Sequence, residues 1–374
     1  MDIPFFKSLS LGGSALFKHR EKGIVGIDLG SSSLKLVQLR KEKERAILET
    51  YGEISTAHYG GVEMGQSARL VDQKVLEMLE DLIKEANITA RQAVVSLPLR
   101  VSFVSLLTLP IMNEKDLAEA VHYEARRYIP VPINEVILDW WSLPQGISSD
   151  AEREEGLVKE KKFIEVLLVA VHQQVLEKYR SIFKEAGIEI VSFEIEIFSQ
   201  VRSAIAREVA PILLIDYGAQ STRFTIVDYN IVRMSHNADR GSQDLTLALS
   251  RSLGIDFERA EKLKRDTGLS LRPEHQEIKN VIEPLLDHNF SEGIRVMTEY
   301  KRRTNHSIKR IVFTGGGSLL KGLIDFSINK FGVEARLSNP FQKVEYPPFL
   351  EPALRDLSPI FSTALGLALR EMQK

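Results

Sequence analysis

One short phrase occurs twice in the chain and constrains everything else. Ile27-Asp28-Leu29-Gly30-Ser31-Ser32-Ser33 returns as Ile215-Asp216-Tyr217-Gly218-Ala219-Gln220-Ser221. Each copy follows an apolar run (Gly23 to Ile27; Pro211 to Ile215) and leads into a second β-prone run (Leu34 to Leu39; Thr222 to Val227). This pattern predicts two β-hairpins whose tight loops carry an Asp, a Gly and small hydroxyl residues. Glycine permits close approach, so backbone N–H groups of such a loop can cradle an oxyanion. The Asp closing each first strand can hold a divalent cation through water, as Mg²⁺ prefers. Two such loops facing each other would clamp a polyphosphate from both sides.

A third element supports that reading. Ile311-Val312-Phe313-Thr314-Gly315-Gly316-Gly317-Ser318, followed by Leu319, Leu320 and Leu323, predicts a strand, a glycine turn and the start of a helix. Such a turn lets a nucleotide lie against backbone at a helix N-terminus. Three elements of this kind, in this order, point to nucleotide binding.

Composition removes other chemistries. The 374 residues suffice for two or more cores. There is no cysteine, which excludes disulfides, iron–sulfur ligation and thiol catalysis. The eight histidines show no zinc-ligand spacing. A net charge of −2 offers no basic footprint for nucleic acid. No run approaches the roughly 18 apolar residues of a membrane span, and residues 1–21 read as a leader that packs against something or lies loose.

Along the chain, residues 22 to about 57 read as a β-meander, and Val71 to Ala86 has helical spacing. Gln92 to Leu97 is a short strand. From about 91 to 163 the texture changes to strand, helix, strand and loop, with Asn113 and Asp116 forming a helix cap and Gln145 to Lys162 a solvated loop. Val175 to Ala186 is a helix ended by Gly187, Ile188 to Phe193 a strand, and Ile197 to Arg207 a helix. Between the second phrase and the glycine triplet, Asp244–Leu253, Phe257–Arg265, Pro273–Asp287 and Phe290–Arg303 all carry helical periodicity. Ile324 to Phe331 is another helix, and a final one starts near Ile360.

These residues carry a family resemblance. The doubled hairpin, the glycine turn and the small-residue helix Phe361 to Ala368 resemble the actin-like ATPase fold, in which two α/β domains close over a nucleotide. Within it the chain resembles the PilM family of type IV pilus assembly proteins. The carriers are G-I-D-L-G-S-S-S-L-K-L-V-Q (Gly26 to Gln38), E-A-V-H-Y-E-A-R-R-Y-I-P (Glu119 to Pro130) with Pro132 and Glu135, V-A-V-H (Val169 to His172), D-L-T (Asp244 to Thr246) and S-T-A-L-G-L-A-L-R (Ser362 to Arg370).

The resemblance implies a division of the chain. Residues 22–90 with 164–207 form a first actin-like α/β subdomain, against which the final helix 360–374 packs. Residues 91–163 form an inserted α+β subdomain shared with the division protein FtsA. Residues 208–235 with 308–359 form the second α/β subdomain, and 236–307 a helical subdomain capping the nucleotide. It further implies ATP with Mg²⁺ and a cytoplasmic protein held at the inner membrane by its partners. Those are the cytoplasmic N-terminal tail of a single-pass PilN-like protein and other platform proteins. Two departures stand out: only Gly241 precedes D-L-T where a glycine pair is common, and Glu194 and Glu196 fill the acidic positions before the second hairpin.

On this reading Asp28 and Asp216 face Mg²⁺ and the terminal phosphates. Gly30, Ser31, Ser32, Ser33, Gly218, Ala219, Gln220, Ser221 and Thr222 supply donors to phosphate oxygens, with Lys35 as a point charge or a solvated strand residue. Gly315, Gly316, Gly317 and Ser318 approach the α-phosphate and adenosine. Glu261 and Lys264 either reach the ribose or form a surface pair. Glu196 is the candidate to orient a water for a weak ATPase. The alternatives are an FtsA-like division or secretion-platform homologue and a small-molecule kinase of the same fold. For a kinase, the segment Tyr51 to Arg69 reads as a loop with only Glu53 and Glu63, and no catalytic Asp is evident. The chain stops at Leu369 to Lys374 without an FtsA-type amphipathic anchor, which favours the pilus reading.

Overall fold

A computed structural model describes residues 23–143, 163–206 and 210–372. The leader 1–21 and the loop Gln145 to Lys162 lie outside the described residues.

Two five-stranded sheets are built to one plan. The first has the order β3-β2-β1-β4-β8, from β1 (Ile24–Leu29), β2 (Ser33–Glu42), β3 (Arg45–Ser55), β4 (Gln92–Leu97) and β8 (Glu189–Ile195). The second has the order β11-β10-β9-β12-β13, from β9 (Ile212–Tyr217), β10 (Thr222–Asp228), β11 (Ile231–Ala238), β12 (Arg310–Thr314) and β13 (Glu334–Leu337). In each, an antiparallel meander is extended by parallel strands on the far side of its first strand. Parallel strands are covered on both faces and so read as continuous apolar runs, as Ile24-Val25-Gly26-Ile27 and Ile212-Leu213-Leu214-Ile215 do.

A third, three-stranded sheet has the order β5-β7-β6, from β5 (Ser102–Pro110), β6 (Val136–Ser142) and β7 (Phe163–His172). The helix Glu114–Tyr128 lays Leu117, Val121 and Ala125 on it, capped as predicted by the Asn113 side chain accepting from the Asp116 N–H at 2.9 Å. Both expected boundaries of this insert shift. β4 pairs with β1 and β8 and belongs to the first sheet, while β7 is the central strand of the small sheet. A fully apolar strand fits either sheet, and only pairing decides.

Helices fill the remaining faces. Asp72–Glu85, Gln173–Glu185 and Glu196–Ala204 cover one face of the first sheet. The final helix Ser362–Met372 covers the other, with Phe341 and Phe361. Ser242–Leu253 and Gln276–Thr304 pack on the second sheet. The two helices expected at Pro273–Asp287 and Phe290–Arg303 are one, with Pro284 inside. Proline removes one helical hydrogen bond, but Ile278, Ile282, Leu286 and Phe290 form a continuous buried stripe that holds the helix together across it. The strand expected at Ala46 to Ser55 within the β-meander is β3, so the segment Tyr51 to Arg69 leaves the sheet only after Ser55.

Candidate functional site

The two repeated loops sit at the carboxyl ends of equivalent strands, where open α/β sheets place their ligands. Asp28 closes β1 and stands opposite Lys35 on β2; Asp216 closes β9 and stands opposite Arg223 on β10 and Thr314 on β12. Both loops and the glycine turn open onto one cavity of about 1000 Å³. Its wall brings together Asp28, Gly30 to Ser33, Lys35, Glu196, Asp216, Gly218 to Ser221, Glu261, Lys264 and Gly315 to Gly317.

Two expected members are not on that wall. Thr222 is fully buried, its hydroxyl donating to the Arg240 carbonyl at 2.7 Å and accepting from Asn289 at 2.7 Å. Ser318 is buried, donating to the Gly315 carbonyl at 2.6 Å, so it holds the glycine turn closed. Side chains of β10 alternate between faces, so a hydroxyl one residue beyond the loop turns into the sheet. Glu194, taken with Glu196 as an acidic pair, also turns away. It is buried on β8 and bound by Arg202 at 2.6 and 2.7 Å, with Arg370 at 3.9 Å.

Asp28 is nearly buried and accepts from the Ser96 hydroxyl at 3.0 Å. Burial pushes its carboxyl up to about 6, with Lys35 opposing and the neighbouring Glu196 and Asp216 adding to the rise. Lys35 donates to the Ser33 hydroxyl at 2.7 Å and lies 3.7 Å from Glu53 on β3, so its place is inside the cleft and not on a solvated strand face.

Asp216 is held from two sides, by Gln200 at 2.8 Å and by the Arg223 guanidinium at 3.4 Å. Arg223 also donates to Glu196, which accepts a second bond from the Leu99 N–H at 3.0 Å. Arg223 and Gln200 were not anticipated. Arg223 was visible in the repeat: the interval from Asp28 to Lys35 equals that from Asp216 to Arg223.

Glycine is obligatory at the third element. Gly315 has φ +86°, and a Cβ there would lie 2.5 Å from an Asp216 carboxylate oxygen. The single glycine before D-L-T has an equally tight place, since a Cβ on Gly241 would lie 2.1 Å from the Ala219 carbonyl. The Ser242 and Gln243 N–H groups bond the Gly218 and Ala219 carbonyls at 2.9 and 3.0 Å, fixing the second loop on the helix Ser242–Leu253.

Glu261 and Lys264 pair at 2.6 Å on the helix Phe257–Thr267 at the far wall. Burial works to raise the Glu261 carboxyl, but Lys264, with hydrogen bonds from Lys264, Thr246 and Arg265, outweighs it and holds the group below the usual range. Burial pulls Lys264 down, against Glu261. Above them, the loop after the short helix Ala57–Gly60 crosses the cleft. Glu63 accepts from the Glu258 N–H at 2.9 Å, the Ser67 hydroxyl donates to Gln243 at 3.0 Å, and the Ala68 N–H donates to the Ser31 carbonyl at 3.2 Å.

This architecture has known relatives. The family model of the type IV pilus assembly protein PilM matches residues 26–372. The chain belongs to the PilM family. A solved PilM–PilN type IV pilus biogenesis complex aligns with TM-score 0.78 and 26% identity, covering 95% of this chain and all of that one. The cell division protein FtsA of Streptococcus pneumoniae is 23% identical over 360 residues, 86% of this chain and 77% of that protein. The ethanolamine utilization protein EutJ of Carboxydothermus hydrogenoformans shares the fold, with TM-score 0.51 at 15% identity, covering 95% and 91% of the two chains. So does MreB5 of Spiroplasma citri bound to AMPPNP, with TM-score 0.50 at 13% identity, covering 95% and 97%. The fold is therefore the actin-like ATPase fold. No helix among the described residues is long and apolar enough to cross a membrane.

Proposed function

We propose that the chain is the ATP-binding member of a type IV pilus inner-membrane assembly platform. On this reading it grips the cytoplasmic N-terminal tail of a PilN-like single-pass protein, and bound nucleotide sets the shape presented to that tail. The observation that carries the nucleotide half is the convergence of two equivalent acidic hairpins and a glycine turn on one cavity. Family membership and likeness to a PilM–PilN complex support the partner half.

The residues present fit a magnesium-bound triphosphate. The carboxylates of Asp28, Glu196 and Asp216 are among those bordering the same cavity as the backbone-rich loops, and a Cβ at Gly315 would close the approach to Asp216. Asp28 and Asp216 are the residues to hold Mg²⁺, partly through water. When bound, that ion neutralises phosphate charge. The loops of Gly30 to Ser33 and Gly218 to Ser221 orient the phosphates, and Glu261 with Lys264 stands on the wall where the nucleoside would rest. Glu196 is tied to Arg223 and the Leu99 N–H, which favours a positioning role over that of a base freely polarising water. The chain accordingly reads as a nucleotide-set scaffold, cytoplasmic and attached to the inner membrane through partners.

A synthetic copy of a PilN-like N-terminal tail, followed by fluorescence anisotropy, tests this. Binding to the full chain that tightens about tenfold with ATP is expected. Failure of every such tail to bind, together with rapid phosphorylation of a sugar, would replace the scaffold by a kinase.

A further inference from the structure

The segment that crosses above the cavity carries a cation with no partner among the described residues. Residues 61–70 leave the first lobe after the helix Ala57–Gly60 and run along the far wall. There Glu63 accepts from the Glu258 N–H at 2.9 Å, and the Ser67 hydroxyl donates to Gln243 at 3.0 Å. Between them Gly65, at φ +91°, passes so near Glu261 that a Cβ would lie 2.9 Å from its carboxyl carbon. The segment then returns to the near wall, where the Ala68 N–H donates to the Ser31 carbonyl at 3.2 Å. That bond sets the next residue, Arg69, beside the first hairpin loop, where it is exposed and lines the cavity.

Among the described residues, the cations lining the cavity are Lys35, Arg69, Arg223, Lys264 and Arg265. All but Arg69 already meet a carboxylate. Lys35 lies 3.7 Å from Glu53, Arg223 binds Glu196 and Asp216, and Lys264 and Arg265 share Glu261 at 2.6 Å each. An anion entering the cavity has to compete with those carboxylates for the charge of those four side chains. Arg69 has no ion pair or hydrogen bond among the described residues, so its guanidinium can take a phosphate without breaking a contact inside the protein. Its planar fork matches two phosphate oxygens at once.

We propose that Arg69 is a ligand for the terminal phosphate of the nucleotide, held over it by the segment 61–70, which Glu63 and Ser67 anchor to the opposite wall. The phosphate concerned is the terminal one because Ser31, whose carbonyl the segment grips, belongs to the loop that follows Asp28. That is where the function proposed above, on which this inference rests, sets Mg²⁺ and the end of the triphosphate. A triphosphate then ties the crossing segment down through one contact that a diphosphate lacks, so the two nucleotides leave different shapes at the cleft.

The test measures ATP and ADP affinity by calorimetry on the full chain in Mg²⁺ buffer. R69Q is expected to weaken ATP about tenfold and ADP less than about threefold, and R69K, which keeps the charge, to retain most of the ATP affinity. Unchanged ATP affinity in R69Q, or an equal loss for both nucleotides, overturns the proposal and leaves the nucleotide reading standing. A wild type that binds neither nucleotide defeats that reading, and this inference with it. Because Arg69 is exposed and unpartnered among the described residues, urea curves of R69Q and wild type without nucleotide are expected to superimpose; a shifted curve would show that Arg69 is engaged within the protein and would count against the proposal. E63A releases the far anchor and is expected to weaken ATP about threefold on its own and not at all when added to R69Q, since both changes remove the same contact. Additive losses overturn the role given to the crossing segment.

Discussion

At the scale of single residues, the cleft trades stability for charge. Burial, with Glu196 and Asp216 nearby, pushes the Asp28 carboxyl up to about 6. A carboxyl raised on folding binds more protons folded than unfolded, so its contribution to stability falls as pH rises from about 4 to about 6 and is flat above that. The penalty above pH 6 is on the order of 2–3 kcal/mol. Asp28→Asn is therefore expected to stabilise the nucleotide-free protein at pH 7.5 and to have little effect at pH 4. The difference between variant and wild-type urea curves across that range isolates this group; a pH-independent difference would contradict the assignment. Asp216 is different, because Gln200 and Arg223 already compensate it. Asp216→Ala should abolish ATP binding by calorimetry and leave a folded chain, since Arg223 keeps Glu196 as a partner. Unchanged affinity would defeat its place in the site.

At the scale of elements, two glycines explain how the final helix fits. A Cβ on Gly26 would stand 2.0 Å from the Ala364 carbonyl, and one on Gly366 would stand 1.9 Å from the Ser199 carbonyl. The helix Ser362–Met372 thus wedges between β1 and the helix Glu196–Ala204, which carries Glu196 and Gln200 to the cleft. Both clashes are with backbone, so no side chain can move aside to relieve them. Gly366→Ala is expected to cost about 3 kcal/mol, the upper part of the overpacking range, measured by chemical denaturation. Gly316 provides the contrast, with only an Ile360 methyl at 3.7 Å from an added Cβ. Gly316→Ala should leave stability within about 0.5 kcal/mol of wild type, as ordinary substitutions away from strained or buried features do, and lower ATP affinity by narrowing the cavity wall. A stability loss equal to that of Gly366→Ala would refute this distinction.

At the scale of the whole molecule, the cavity exists only between the two sheets, with the loop bearing Glu63 and Ser67 crossing above it. A ligand touching both walls should protect both at once. Hydrogen exchange with and without ATP is expected to slow together in residues 28–35, 216–223, 315–320 and 62–68, because opening either wall breaks the same contacts. Protection confined to one sheet would argue against a two-sided clamp.

What the sequence alone determined was local and periodic. The doubled acidic phrase specified both hairpins and their shared position at strand ends, glycine marked the third turn, and the cap at Asn113 followed from one side chain and one backbone donor three residues on. The equal intervals from Asp28 to Lys35 and from Asp216 to Arg223 stand in the sequence, but nothing there says which carboxylates Arg223 meets. What only the tertiary structure decided was which strand joins which sheet, as with β4 and β7, and which face a residue presents, as with Thr222, Ser318 and Glu194. The physical reason is the same in each case. Apolar strands are interchangeable until their backbones pair, and a carboxylate acquires its role from the cation it meets. For Glu194 that cation is Arg202, and for Glu196 it is Arg223, brought from far along the chain.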